Sequence, residues 1–278
     1  MRILESSQIT EAIRNLCISA NISADADIRK SICAARNAET LPLAQNALDM
    51  IILNMDIAEK ENMPMCQDTG MVVVFVEMGQ DVHVKGNLTD AINEGVRWGY
   101  KDGYLRASII NDPMHRVNTG DNTPAVIHYD IVPGNMLKLT VMPKGFGSEN
   151  KSAVKMLTPS AGISGVCDFV LDTVEKAGAD PCPPIVVGVG VGGTMEKAAL
   201  LSKQAHTCMF DTAKDPRWAA VEAQLLKSIN ELDIGPAGLK GKTTALGVRV
   251  LTYPTHIAGL PVAVNIGCHV SRHKSLVL

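Results

Sequence analysis

The chain has 278 residues, enough for one large domain or two modest ones with a substantial core. Hydrophobic residues make up 46% and charged residues 20%, which excludes an intrinsically disordered chain. The net charge of −3 gives no reason to expect nucleic acid or an anionic membrane as a partner. No signal-like apolar core opens the sequence, and no apolar run approaches the roughly 18 residues of a membrane span. We therefore expect a cytoplasmic protein.

Amphipathic patterns in the first quarter of the chain predict three helices, over residues 9–20, 24–36 and 41–60. In the third, apolar residues recur at helical spacing from Ala44 to Met55. These helices predict a helical N-terminal part over about residues 1–62.

Strands and helices are mixed in the rest of the chain. We predict a strand at 71–78 whose sheet continues at 81–84, and a helix at 90–101 capped by Thr89. Two strands, 125–132 and 136–142, have the spacing of a hairpin. The remaining predictions are helices at 163–177, 194–208 and 216–232 and strands at 185–187, 247–253 and 261–266. Without a linker or repeat, residues 1–278 read as a single α+β domain, with helices packed around mixed and antiparallel sheets.

The seven cysteines fall into two classes. Their odd number and the absence of a C-x-x-C pair argue against a disulfide framework and a zinc ribbon. Four lie within predicted helices, where a thiol behaves as a small hydrophobic group: Cys17, Cys33, Cys167 and Cys208. Three lie at strand edges bounded by proline or glycine: Cys66, Cys182 and Cys268.

Three thiols from distant segments favour an iron–sulfur cluster over structural zinc, which takes four ligands with short spacings. A cluster held by three cysteines has one iron without a protein ligand, and such an iron can act as a Lewis acid. Coincidence remains the alternative interpretation of three loop cysteines.

A competing pattern is the glycine-rich segment Gly188–Gly193, which follows a predicted strand and precedes a predicted helix. It satisfies G-x-G-x-x-G, and Asp211 lies 18 residues beyond it, so a nicotinamide-dependent oxidoreductase is an alternative. The late position of the segment and its closeness to Cys182 favour a plainer role as a tight strand-to-helix turn near a cluster.

Four motifs together resemble the α subunits of class I, iron–sulfur-dependent fumarate hydratases and the related L-tartrate dehydratases. These motifs are CQDTG, KGFGSENK, CPPIVVGVGVGGT and NIGC, and the resemblance extends in order over nearly the whole chain. It implies a [4Fe–4S] cluster on Cys66, Cys182 and Cys268, with one iron not ligated by protein. The implied reaction is the reversible hydration of fumarate to (S)-malate.

The resemblance also implies the other residues of the site. Asp68 and His256 would be catalytic, and a proton relay between them is one expectation. Gln67, Arg106 and the backbone of Gly147 would bind the substrate, the arginine through its fork of donors. Phe146 stands where the family more often has a third glycine.

The resemblance further implies a partner. A small dicarboxylate would bind between this cluster-bearing subunit and a separate β subunit, which would supply the proton-abstracting base, in a heterotetramer of two α and two β chains. L-tartrate and methylfumarate are alternative substrates, and the KGFGSENK loop favours fumarate. A labile cluster acting as an iron or oxygen sensor is a non-enzymatic alternative.

Overall fold

The computed structural model describes residues 1–211, 213 and 215–278. It contains both helices and mixed sheets, which confirms the α+β class. The helices are α1 (Ser6–Ile22), α2 (Ala26–Ala38), α3 (Pro42–Glu61), α4 (Leu88–Asp102), α5 (Phe146–Glu149), α6 (Gly162–Ala177), α7 (Met195–Gln204) and α8 (Pro216–Asn230). The strands are β1 (Arg2–Glu5), β2 (Met71–Gly79), β3 (Val82–Lys85), β4 (Val126–Val132), β5 (Leu137–Lys144), β6 (Ala153–Leu157), β7 (Ile185–Gly192), β8 (Ala245–Tyr253), β9 (Leu260–Gly267) and β10 (Lys274–Val277). Each helix and strand predicted from the sequence is present, whereas α5, β1, β6 and β10 were not predicted.

The chain forms two compact units, each assembled from separate stretches of sequence. Unit 1 comprises Met1–Asp25, Asn54–Phe146 and Arg272–Leu278, and unit 2 comprises Ala26–Leu53 and Gly147–Ser271. The expectation of a single domain over residues 1–278 stays a prediction.

Unit 1 is built on a sheet with the strand order β10-β5-β2-β4. The central strand β2 is antiparallel to β5 and parallel to β4. The predicted hairpin between 125–132 and 136–142 is therefore wrong, because β2 lies between the two strands. The burial pattern explains this order, since β2 is almost continuously buried and suits the centre, whereas β4 exposes most of its side chains at an edge.

Two further predictions in unit 1 need correction. The strand β3 does not continue the sheet of β2 but pairs in parallel with β1 in a separate two-stranded sheet. Thr89 does not cap α4, since the helix begins one residue earlier. The cap is the Asn87 side chain, which accepts hydrogen bonds from the backbone N–H groups of Thr89 (2.9 Å) and Asp90 (3.2 Å).

The core of unit 1 lies between its sheet and the helices α1 and α4. Fully buried side chains from all of these elements meet there, among them Ile13, Val74, Ile92 and Leu139. The amphipathic spacing in α1 and α4 is thus satisfied by burial against β2 and β5.

Unit 2 is built on a sheet with the order β6-β9-β7-β8. Its central strand β7 is parallel to β8 and antiparallel to β9. On one face, the valine-rich side of β7 packs with α6 and α8, where Val170, Val189 and Leu225 are buried together. The helix α7 covers the opposite, glycine-bearing face.

The glycine-rich segment is a strand for most of its length, not the predicted strand-to-helix turn. A methyl group built on Gly188 would overlap the carbonyl oxygen of Ser202, and one on Gly190 would overlap that of Ala198. The glycines therefore let the backbone of α7 lie directly on β7. Only Gly192 and Gly193, with φ of 92° and 71°, form the turn into α7. This removes the loop context that a dinucleotide fingerprint needs.

Candidate active site

The CQDTG segment connects α3 to β2 in unit 1, and the residue before it is held from two sides. The N–H group of Met65 donates to the carbonyl oxygen of Asn21 (3.0 Å), and the Asn54 amide donates to the carbonyl oxygen of Met65 (2.9 Å). Met65 is buried, Cys66 is partly exposed and Gln67 is exposed. The fold thus fixes the backbone here and leaves the thiol and the amide accessible.

The Asp68 carboxylate is held by two backbone groups. Its Oδ1 accepts a hydrogen bond from the N–H of Gly70 (3.0 Å), and its Oδ2 accepts one from the N–H of Phe146 (2.9 Å). The first bond is the turn interaction that Asp favours locally. The second joins the CQDTG segment to the start of the KGFGSENK motif, at residue 146. Each oxygen keeps a second acceptor position, so the carboxylate can still receive a proton or a substrate hydrogen bond.

Arg106 lies beside the same segment. The Thr69 hydroxyl donates to the carbonyl oxygen of Arg106 (3.0 Å), while the Arg106 side chain is exposed. The Tyr100 hydroxyl lies 2.6 Å from the carbonyl oxygen of Thr69 and 3.0 Å from that of Gly70. Burial raises the pKa of Tyr100, so this hydroxyl stays neutral and acts as a donor. Unit 1 therefore brings Gln67, Asp68 and Arg106 into one neighbourhood.

The structure places here a fourth group, Arg272, which sequence patterns do not single out. Its side chain is only 4% exposed, and its Nη2 donates to the carbonyl oxygen of Asp68 at 2.5 Å. It stands in the polar run SRHKS, which reads as an exposed tail. Since local sequence does not show which of several polar residues is buried, no pattern in this run identifies it.

Cys182 and Cys268 lie at the same end of the unit 2 sheet. Cys182 comes three residues before β7, and Cys268 directly follows β9. These strands are antiparallel neighbours in which Val186 is opposite Gly267, so the start of one is beside the end of the other. His269 completes the contact, because its N–H and its Nδ1 lie 3.4 and 2.9 Å from the carbonyl oxygen of Cys182.

The chemistry of these thiols fits a soft metal centre. None of the seven cysteines, all of which the structure describes, forms a disulfide, and Cys182 is exposed while Cys66 and Cys268 are partly exposed. By contrast, Cys17 is fully buried, which raises its pKa and keeps it a neutral thiol. Among residues 1–211, 213 and 215–278, no three or more His, Cys, Asp or Glu side chains are arranged as a metal-ion site. Cys182 and Cys268, two of the three predicted ligands, thus lie in unit 2, and the third, Cys66, belongs to unit 1.

Gly147 is exposed, belongs to unit 2 and lies in the short helix α5. A methyl group built on it would come no closer than 4.0 Å to its surroundings, at the carbonyl oxygen of Asp180. The backbone at Gly147 is therefore open to a ligand. The N–H of the preceding Phe146 is already used by Asp68.

His256 lies far from the cysteine pair within unit 2. It is an exposed residue of the β8–β9 connection, where its Nδ1 accepts a hydrogen bond from the N–H of Ala258 (3.2 Å). Tyr253, at the end of β8, is opposite Gly192, at the end of β7. Since Cys182 precedes the other end of β7, the eight-residue strand separates the two positions by about 25 Å.

A cavity of about 330 Å³ adjoins His256 at that end. Its walls are mainly apolar and come from α6, the start of α8 and the β8–β9 connection. They include Ile163, Val166, Trp218, Ile257 and Leu260. His256 therefore lies at the mouth of an apolar cavity and not beside Cys182 and Cys268.

Comparison with known proteins decides the family. The profile described as fumarate hydratase (Fumerase) matches residues 10–277. The chain belongs to the fumarate hydratase family. The predicted resemblance to class I fumarate hydratase α subunits is confirmed, and with it the prediction of a hydro-lyase.

Individual relatives of this fumarate hydratase family chain have tartrate dehydratase names. A Methanocaldococcus jannaschii protein, provisionally named L(+)-tartrate dehydratase subunit alpha, is 37% identical over 273 residues, which is 95% of each chain. The L(+)-tartrate dehydratase subunit alpha of Escherichia coli K12 is 30% identical over 277 residues, 98% of this chain and 91% of that one. Both names designate one subunit of a larger enzyme.

No helix among the residues that the structure describes is both long enough and apolar enough to cross a membrane.

Proposed function

We propose that this chain is the cluster-bearing α subunit of a hydro-lyase that reversibly hydrates fumarate to (S)-malate. The observation that carries the proposal is the antiparallel pairing of β7 with β9, which brings the accessible Cys182 and Cys268 to one end of a sheet in a chain of this family. With Cys66 they would hold a [4Fe–4S] cluster with one iron not ligated by protein. When bound, such a cluster supplies a Lewis acid that polarises the carbon–oxygen bond of the substrate.

Three side chains of unit 1 and the backbone of Gly147 would bind and orient the substrate. Arg106 presents an exposed guanidinium that suits a carboxylate, and Gln67 presents an exposed amide. The open backbone at Gly147 would offer an N–H group to the substrate. Asp68 is held by the N–H groups of Gly70 and Phe146, so its carboxylate is positioned to take or return a proton without reorganising.

A separate β subunit would complete the site. The relatives' names designate alpha subunits, which supports a partner chain. That partner would supply the proton-abstracting base. We expect a heterotetramer of two α and two β chains in the cytoplasm.

The catalytic role of His256 would require a second α chain. About 25 Å of strand separates it from Cys182 and Cys268 of its own unit, which is too far for one substrate to reach both. A second copy of the chain, docked through the apolar residues of its cavity, among them Ile163 and Ile257, would bring its own His256 to the cluster site of the first copy. That arrangement agrees with two α chains in the assembly.

L-tartrate is the second candidate substrate, and the names of the relatives favour it. Its dehydration removes water from neighbouring carbons in the same way and gives oxaloacetate after the enol rearranges. Methylfumarate is a third candidate that the same chemistry admits. Both of the first two substrates are four-carbon dicarboxylates, so the residues of unit 1 would bind either.

The deciding experiment is anaerobic analysis of iron and sulfide in the chain co-expressed with its β partner. Conversion of fumarate, L-tartrate and methylfumarate would be followed on the same preparation. About four irons per α chain, as one [4Fe–4S] cluster requires, together with fumarate hydration would support the proposal. The same iron content with turnover of L-tartrate alone would make L-tartrate the substrate in place of fumarate. No iron after strict anaerobic reconstitution would overturn the cluster proposal.

A further inference from the structure

Arg272 is a buried cation whose hydrogen bonding is incomplete. Its one hydrogen bond in the described structure goes from Nη2 to the carbonyl oxygen of Asp68, two residues beyond Cys66. Its Nε is buried and has no hydrogen-bond partner there. A guanidinium keeps its charge in proteins and carries five N–H donors, so most of this group's binding capacity is unused.

The carboxylates of the adjoining segments are engaged elsewhere. Asp25 accepts hydrogen bonds from the N–H of His273 (3.2 Å) and from Nζ of Lys274 (2.8 Å). The Asp68 carboxylate is directed to Gly70 and Phe146, so Arg272 contacts only the neutral carbonyl of that residue. Within residues 1–211, 213 and 215–278, no carboxylate forms an ion pair with Arg272.

A second buried arginine, in unit 2, has a carboxylate beside it. Arg249 is 6% exposed, and its Nη1 lies 3.6 Å from a carboxylate oxygen of Glu222. Burying a charge without a compensating partner is costly, and proteins normally pair such groups. The isolated charge of Arg272 therefore points to an anion that the chain itself does not contribute.

We propose that Arg272 is a positioning residue that fixes the Asp68 peptide and supplies positive charge to an anionic group bound beside Cys66. The inference rests on the proposed function for the identity of that anion, which is either the thiolate-ligated cluster or the dicarboxylate substrate. Both are anions that accept charge-assisted hydrogen bonds from a guanidinium. The position of Arg272, four residues after Cys268, is consistent with either source.

The test compares Arg272→Gln, which keeps a donor for the Asp68 carbonyl but removes the charge, with Arg272→Lys, which keeps the charge. Arg249→Met is the control, because it removes a buried arginine that has its own carboxylate. The complete chain is co-expressed with its β partner, and Arg272→Met replaces the glutamine variant if that one does not fold. Two readouts are used: the rate of iron loss to a chelator after anaerobic reconstitution, and the thermal shift of metal-free protein with succinate.

If the anion is the cluster, Arg272→Gln should lose iron about tenfold faster than the wild type, as expected for a lost charge-assisted hydrogen bond. If the anion is the substrate, iron loss should be unchanged and succinate should bind about tenfold more weakly. The lysine variant should recover part of either effect, and Arg249→Met should show neither. Wild-type values for both readouts in Arg272→Gln would overturn the proposal, as would equal losses in the lysine and glutamine variants.

Absence of iron from the reconstituted wild type would contradict the proposed function but not the role of Arg272. In that case the succinate measurement still tests Arg272, because it needs no cluster. A wild-type protein that neither takes up iron nor responds to succinate would overturn both proposals.

Discussion

The Nδ1 atom of His269 lies 2.9 Å from the carbonyl oxygen of Cys182. A carbonyl oxygen only accepts, so Nδ1 carries the proton in this contact. The bond joins the segment before β7 to the residue that follows Cys268, and it therefore holds two predicted cluster ligands next to each other. Groups that orient metal ligands in this way typically affect how firmly a metal centre is held.

Replacing His269 by Phe should accelerate iron loss from the reconstituted protein about tenfold, because the side-chain hydrogen bond to the Cys182 carbonyl is lost and only the longer backbone contact remains. His269→Asn, which keeps an N–H donor, should restore part of the retention. The measurement is iron release to a chelator under anaerobic conditions. His83→Phe, at an exposed position of β3, is the matched control and should release iron at the wild-type rate. Equal rates for the Phe and Asn variants and the wild type would contradict the orienting role.

Cys66→Ser and Cys167→Ser should differ in iron content. A hard serine oxygen is a poor replacement for a thiolate, so the first variant should retain much less iron. Cys167 packs at the margin of the unit 2 core, and its loss should change stability slightly without changing iron content. Iron and sulfide analysis of both variants, reconstituted in parallel, provides the measurement. Equal iron in the two proteins would refute the division of cysteines made from the sequence.

Gly190→Ala should destabilise the protein by about 3 kcal/mol, because the new methyl group would overlap the Ala198 carbonyl and separate α7 from β7. Gly259→Ala is the control, since a methyl group there would have no neighbour closer than 4.0 Å. Denaturant unfolding followed by circular dichroism would give both free energies. If Gly190→Ala unfolds at the same denaturant concentration as the control, the helix does not rest on the strand backbone as described.

Asp121 should contribute to stability in a pH-dependent way. Burial raises its pKa, but hydrogen bonds from Thr123 and Arg97 outweigh this effect and lower the pKa to about 2. Because the folded pKa is depressed, the contribution is fully present above the unfolded value of about 4 and is lost as the pH falls towards 2. Asp121→Asn should therefore lower the free energy of unfolding by about 2 kcal/mol at pH 7 and by progressively less below pH 4. If the difference in the free energy of unfolding, extrapolated to zero denaturant, stays constant from pH 7 to pH 2.5, this assignment is contradicted.

Mixing two inactive α chains tests whether His256 acts from a second copy. His256→Ala and Cys182→Ser should each be inactive alone with the β partner. Co-expressed, random pairing should return about a quarter of wild-type activity, since half of the pairs are mixed and each mixed pair has one complete site. Both variants must first be shown to assemble. If a mixed assembly recovers no activity, His256 does not act from a second copy.

Local patterns predicted the helices and strands well, but they predicted poorly which of these elements lie next to each other. The helices α1, α3 and α6 follow from apolar spacing, which is a property of short segments. The pairing of β5 with β2 rather than β4 depends on which strand is buried on both faces, and this is decided by the whole sheet. Likewise, Gly188 and Gly190 satisfy a loop motif in the sequence, yet their lack of side chains serves the packing of a helix that begins several residues later.

In the candidate site, too, some features could be predicted from local sequence and others could not. Cys66, Cys182 and Cys268 could be separated from the helix cysteines because proline and glycine mark the ends of elements. The distance of His256 from two of them could not be predicted, because it follows from strand direction and register. Arg272 could not be found either, since burial of a single charged residue leaves no periodic signal.

The backbone passes from one compact unit to the other after residues 25, 53, 146 and 271. The last seven residues belong to unit 1, where β10 pairs with β5. During synthesis, the unit that contains the N-terminus therefore cannot finish its sheet until the C-terminal strand has left the ribosome. Until β10 has been made, β5 has an unpaired edge on the nascent chain, so unit 1 completes its sheet only after all of unit 2 has been synthesised.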